Sequence, residues 1–400
     1  SSLHGSAGAI TALQNSVAHY YQRASSADYL GGDPTRRSLT GTGGYVKVGR
    51  KGNAKWNFSE TFTWSSPGFD LNDMGYMKET DYLMNETEIM YRQTDIWKIF
   101  RYNAFTLSQK NMWNYGGTPF SNNASLRWQS MTMNRYEWDV KETFVWNWLD
   151  SRLLRGGPDV RFGSYFLTSA KFNTDKAKRM MFMLKYEGDH NFEGNRFNTI
   201  SPSLTFRLGN HVYLSGQLDY AWNTDEMQYV ATTSPLSSSS LTPYYYVMGH
   251  MDQKTYGLTL KLQVNVTPDI SIQFYGAPFT SIAKYDDFKL AADTKSHTFE
   301  NRFQRIDPDH LTYADGVYTI GEGAGQMPFR NPDFRFNEFR SNLVARWEYL
   351  PGSTLYFVWE HRMSNRDNWY SSGWGSNLDR MWGLPATNTF MIKMNYWFNL

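Results

Sequence analysis

The stretch from Thr389 to Leu400 constrains this chain most. Phe390, Ile392, Met394, Tyr396, Phe398 and Leu400 alternate there with Thr389, Lys393, Asn395 and Asn399. A strict period of two with an aromatic finish is the signature of one strand of a membrane-spanning β-barrel. The alternation recurs upstream. Trp56, Phe58, Phe62 and Trp64 share one side of 53–64, broken only by Glu60, and oppose Lys55, Asn57, Ser59, Thr61 and Thr63. Val212, Leu214, Leu218, Tyr220 and Trp222 oppose His211, Ser215, Gln217 and Asp219, and Leu258, Leu260, Leu262, Val264 and Val266 oppose Thr259, Lys261, Gln263 and Asn265. In lipid only a helix or a closed barrel satisfies every backbone hydrogen bond. The expected fold is therefore all-β, a transmembrane antiparallel up-and-down barrel.

Composition agrees. The chain is 40% apolar yet 17% aromatic, and its mean hydropathy of -0.59 is too polar for a bundle of spanning helices. It has no apolar run of the roughly 18 residues that such a helix needs. A barrel turns only alternate residues to lipid and collects Trp and Tyr at both interfaces, so 15 Trp and 27 Tyr fit two girdles. A net charge of +2, with acids and bases interspersed, gives no basic face for nucleic acid. Cysteine is absent, which excludes disulfides and thiolate metal sites. Ser1 to Ile10 lacks the charged start and apolar run of a leader, so a leader has been removed or the chain begins in mid-protein.

The connections sort into two alternating kinds. Short turns are expected at 50–53, 94–97, 134–135, 173–176, 209–210, 267–269 and 351–352, most holding Gly, Pro, Asn or Asp. Long polar or glycine-rich stretches lie at 65–81, 115–122, 151–158, 188–197, 223–250, 285–335 and 365–385. Short periplasmic turns and long extracellular loops are the outer-membrane arrangement. Seven hairpins and the last strand make fifteen strands. A bacterial barrel usually has an even number, so at least 16 are expected, with another from Ser1–Ile10 or from upstream sequence. Residues 11–43 would form a further extracellular loop, with a short helix over 9–18.

Several segments also carry a likeness. Residues 32–44 (GDPTRRSLTGTGG) and 65–75 (SSPGFDLNDMG) are distinctive, together with 5–14 (GSAGAITALQ), 19–23 (HYYQR), 154–158 (LRGGP) and 340–359 (RSNLVARWEYLPGSTLYFVW). Nearly end to end, the chain resembles the C-terminal outer-membrane barrel of a domain-of-unknown-function family, of Bacteroidota type, that carries an N-terminal carbohydrate-binding-family-nine-like domain. The resemblance implies that residues 1–400 are the C-terminal part of a longer protein, with a sugar-binding-like domain and further strands before them.

Charges opposite the apolar side, Arg207, Asp219, Lys261, Arg340, Arg346 and Glu348, are expected to face the lumen. Arg or Lys turned to lipid near mid-bilayer costs about 2–4 kcal/mol. Inside, they set pore selectivity or seat a plug; pairing within a hydrated interior is the simpler account. In the 365–385 loop, Trp369, Tyr370, Trp374 and Trp382 stand among Arg366, Asp367, Asp379 and Arg380. Such aromatics can stack on a glycan or anchor a partner, although a girdle or self-packed loop is simpler. The 285–335 loop is too long for a passive connection, but its Asp286, Asp287, Asp307 and Asp309 match no EF-hand spacing.

The eight His are scattered, without an HExxH pair, and Ser237–Ser240 lacks a GxSxG context. No catalytic constellation, metal or cofactor is expected. Two roles in the bacterial outer membrane follow: a channel or transporter module for glycans or other solutes, or a binding or scaffold subunit that docks other outer-membrane or periplasmic proteins. A membrane-embedded hydrolase is a remote third.

Overall fold

A computed structural model of the protein describes residues 1–21, 29–72, 75, 77–146, 148–236, 244–367 and 374–398. Its main element is one antiparallel sheet of 16 strands. Fifteen follow one another as a meander: β1 (Gly43–Arg50), β2 (Trp56–Ser65), β3 (Tyr82–Gln93), β4 (Phe100–Trp113), β5 (Pro119–Thr132), β6 (Glu137–Trp146), β7 (Tyr165–Asn173), β8 (Met180–Asn191), β9 (Arg196–Leu208), β10 (Val212–Thr233), β11 (Tyr245–Asn265), β12 (Ile270–Ala291), β13 (Phe334–Leu350), β14 (Ser353–Asp367) and β15 (Thr387–Asn395). The other, Phe303–Arg305, lies against the far end of β12. Among the described residues are two helices: α1 (Ala7–Gln14) precedes this sheet in the sequence, and α2 (Trp374–Trp382) lies between β14 and β15.

All seven short turns fall where the sequence places them. Gly209 and Gly352 sit at φ 64° and 79°, the left-handed backbone that a tight hairpin needs and glycine adopts without strain.

Register keeps the two faces distinct across the sheet. Phe206, Leu214, Leu262, Phe274, Leu343, Trp359 and Phe390 form one row from β9 to β15, each opposite the next. One residue away, Thr205, Ser215, Lys261, Tyr275, Asn342, Glu360 and Thr389 form the matching row on the other face. Exposure is inverted relative to a soluble sheet. Leu107 and Leu126 are 56% and 57% exposed and Ile392 is 73% exposed, whereas Ser59, Ser125 and Ser201 on the polar face are buried. The three buried apolar clusters lie at the loop ends. Ile10, Tyr21, Leu30 and Leu39 form one, Leu154, Val160, Met227, Met248 and Phe303 another, and Val247, Phe288, Leu290, Ile320 and Phe329 belong to the third.

Several expectations need correction. Ser2–His4 does not join the sheet; it pairs with Ser38–Thr40 as a separate ribbon. The expected loops at 223–250 and 285–335 begin and end inside strands, because β10, β11 and β12 run for 22, 21 and 22 residues. Beyond Trp222 the apolar side turns polar at Thr224, Asp252 and Lys254, so the periodic signal fades while backbone pairing continues through bulges. Residues 285–335 also hold their own three-stranded sheet, Leu311–Ala314, Val317–Ile320 and Met327–Arg330. The last strand ends at Asn395, short of the expected Leu400.

The N-terminal segment is fastened to the first hairpins by glycine contacts. A Cβ on Gly41 would stand 2.1 Å from the Phe69 nitrogen, and one on Gly68 would stand 2.3 Å from the Thr40 oxygen. No side chain fits between these backbones. Gly41→Ala or Gly68→Ala is expected to destabilise this corner by about 1–3 kcal/mol, measured as a lower unfolding temperature and earlier proteolysis within residues 1–42.

Candidate functional site

The chemistry-bearing residues gather on the polar face of the sheet and in the folded cap over its loop ends. Alternation puts all six predicted charges on the polar face, and most are engaged there. Arg207 donates to the Lys176 carbonyl at 3.1 Å. Asp219 accepts from Ser201 Oγ at 2.6 Å and from Gln217 Nε2 at 2.9 Å. Arg340 and Arg362 share one carboxylate, Glu338, at 2.8 and 2.9 Å, and Arg346 pairs with Glu348. Lys261 lies in a recess of about 260 Å³ with Tyr213, Gln263, Gln273, Tyr275 and Asn342. The six charges do not converge on one point. Five are tied into hydrogen bonds or ion pairs, the ladder that cross-strand geometry favours.

The predicted aromatic site is only partly described. Trp369 and Tyr370 lie outside the described residues, and so do Ser237–Ser240; the Trp374 side chain is also outside them. Trp382 ends α2, half exposed, with its ring edge-on to Phe339 at 4.9 Å. The helix buries Met381 and Asn377. Asn377 accepts from Arg335 Nη1 at 3.4 Å, and Arg335, itself buried, also pairs with Asp367. These contacts hold α2 against the loop ends of β12, β13 and β14.

A recess that sequence reasoning missed lies beside β1. Tyr45, Trp64, Phe69, Leu71, Met77 and Tyr82 line most of about 430 Å³, with Lys78 and Glu79 at its polar side. Phe69 reaches it because Gly43 has no side chain: a Cβ there would meet the Phe69 ring at 2.5 Å. The signal was present in the two distinctive glycine-rich segments, but nothing in their spacing showed that they pack together. The recess thus joins aromatic and aliphatic side chains to an adjacent cation and carboxylate.

The cap is fixed by buried charge. Arg302 is 1% exposed and grips Glu193 with two bonds of 2.8 and 2.7 Å. It also donates to the carbonyls of Ser296 and Arg161, both at 2.8 Å. One guanidinium thus joins the β8–β9 turn to segments 160–162 and 292–302. His250 Nδ1 stands 3.1 Å from Glu226 Oε1, and Nε2 stands 3.6 Å from Asp252. Burial alone would lower the His250 pKa, but the Glu226 hydrogen bond and the charges of Asp252 and Asp286 outweigh it, so the net shift is upward. Burial raises nearby Asp225 as well. Asp286, Asp287, Asp307 and Asp309 do not come together: Asp287 faces Lys289 and Arg305, and Asp307 caps its own turn. Among the described residues no group of three His, Cys, Asp or Glu is placed to hold a metal ion.

A family model matches residues 6–400, described as Domain of unknown function (DUF5916). The chain belongs to the DUF5916 family. Among curated proteins no match to it was found. In this DUF5916 chain the quoted segments at 32–44 and 65–75, inside the matched range, are the ones that meet around Gly41 and Gly68.

Two outcomes are expected of the cap. Arg302→Ala would leave Glu193 without its cation in a largely buried setting, a loss of about 3–5 kcal/mol. It should release residues 292–302 to protease while the sheet stays folded. The raised His250 and Asp225 values both favour the protonated group in the folded cap. Their stabilisation is present below about pH 6.5 for His and about pH 3.9 for Asp, and is lost as pH rises through the higher folded values. Protease protection of residues 285–335 should therefore decline as pH rises above about 6.5, and His250→Gln should flatten that decline.

Proposed function

We propose that this chain is an integral β-barrel of the bacterial outer membrane, with a folded extracellular cap, that serves as a channel or transporter module for glycans or other solutes. The inverted sheet is the observation that carries the reading. An extended apolar face with large exposed side chains exceeds what a soluble monomer leaves open, and a belt of lipid removes that cost. Small buried residues on the polar face are what a sheet curled toward that side produces. An open twisted sheet of fifteen strands is rare without curling or closing. Tight turns on one end and capped loops on the other match the periplasmic and extracellular sides.

Parity bears on closure. In an antiparallel meander of fifteen strands, β1 and β15 run in the same direction, so an all-antiparallel barrel needs an odd number of further strands between them. Such strands belong to the longer protein that the resemblance implies, or to a partner. The second reading, a scaffold subunit of an outer-membrane complex, is favoured by β15 itself, whose residues are exposed on both faces.

Placing one cation on each face tests the membrane reading. Leu260→Arg should cost about 2–4 kcal/mol in folding into liposomes, whereas Thr259→Arg, one residue along, should cost little. Equal penalties, or full solubility of the parent without detergent, would defeat it. Solute flux in liposomes then separates a channel from a sealed scaffold.

A further inference from the structure

Two strands repeat one pattern. Residues 56–64 read WNFSETFTW and residues 138–146 read WDVKETFVW. Each has a tryptophan at both ends, apolar residues two in from each end, and Glu-Thr at the centre. Period-two alternation places both tryptophans, both intervening apolar residues and the glutamate on the apolar face. Glu60 and Glu142 thus stand midway between their tryptophans, about 13 Å of strand from each. Each carboxylate takes one hydroxyl from the neighbouring strand: Thr87 Oγ1 donates to Glu60 at 2.6 Å, and Thr168 Oγ1 donates to Glu142 at 2.7 Å.

The surface between them continues the interruption. Asn85, Asn111 and Asn122 lie opposite one another across β3, β4 and β5, and Gln109 lies opposite Thr87. Phe58, Ile89, Leu107 and Leu126 form a row toward the turns that ends opposite Glu142, and Trp64, Leu83 and Trp113 bound the patch toward the loops. Elsewhere on the same face β9–β12 carry Leu204, Leu214, Leu260, Leu262 and Phe274 without such a break. Four strand spacings separate Glu60 from Glu142, a patch about 19 Å wide, which accommodates one helix or one β-hairpin.

We propose that the β2–β7 face is covered by a membrane-embedded segment of a different polypeptide, which presents basic and amide side chains to Glu60, Glu142 and the asparagine row. The proposal rests on the membrane reading. Acyl chains offer no donors, and carboxylates and amides held against hydrocarbon are expensive unless polypeptide satisfies them. Charge distinguishes the occupant from a second copy of this chain. Between the row of Phe58 and the row of Trp64, this face of β2–β6 carries no Lys or Arg. A second copy would therefore set carboxylate against carboxylate.

Photo-reactive benzoylphenylalanine placed at Gln109, and separately at Leu260, in the protein in its native membrane tests this. Irradiation at Gln109 is expected to give one protein adduct of fixed mass, different from twice the mass of the chain, while Leu260 gives phospholipid adducts. The double variant E60Q/E142Q is expected to cut the Gln109 adduct about fivefold or more, with unchanged lipid labelling at Leu260 as the control for folding. An adduct of two copies, phospholipid alone at Gln109, or an adduct insensitive to the double variant overturns the proposal. Absence of lipid labelling at Leu260 overturns the membrane reading, and the proposal with it.

Discussion

Backbone pairing between consecutive strands is the interaction on which the rest of this molecule depends. Strands β2 to β14 each have a partner on both sides, so their amide and carbonyl groups are satisfied without help from a packed interior. Because pairing fixes register, it also fixes which side chains share a face. The uninterrupted row from Phe206 to Phe390 is a consequence of register, not of any contact between layers.

Two kinds of stabilisation coexist along the same strands. At Tyr220, Trp222 and Tyr256 the rings stack at 5.2 and 5.0 Å, and beyond them β10, β11 and β12 leave the apolar belt. Past that boundary the rules of a soluble domain take over. Met227, Met248 and Phe303 pack together away from solvent, Phe288 meets Tyr318 and Phe329, and Arg302 sits buried on Glu193. The long loops thereby become a folded layer with its own small sheet.

The sheet was legible because its signal is local. Period two in 257–266, or Gly-Asn at 209–210, can be recognised without knowing what lies across the fold. The cap was not, since its strands near 303–330 are short, polar on average and specified by partners far away in sequence. The recess at Trp64 and Phe69 was hidden for the same reason: it exists only because residues 41–43 and 68–69 meet. Alternation puts these charges on one face of the sheet, but their pairing, such as Arg340 and Arg362 on Glu338, depends on tilt and reach that a linear pattern does not carry. The repeat in β2 and β6 is not a local signal, because three strands separate its two copies and it does not recur at a fixed interval along the chain.

The close backbone approach at Gly41 and Gly68 couples two stretches that are otherwise separate stretches of chain. Neither can drift alone. A change of length in the first forty residues would have to be matched by a change in the connection between β2 and β3, or the wall bearing Phe69 would shift off the rim of the sheet. Variation in this corner is therefore expected to be inherited in pairs, with the aromatic recess moving as a single hereditary unit.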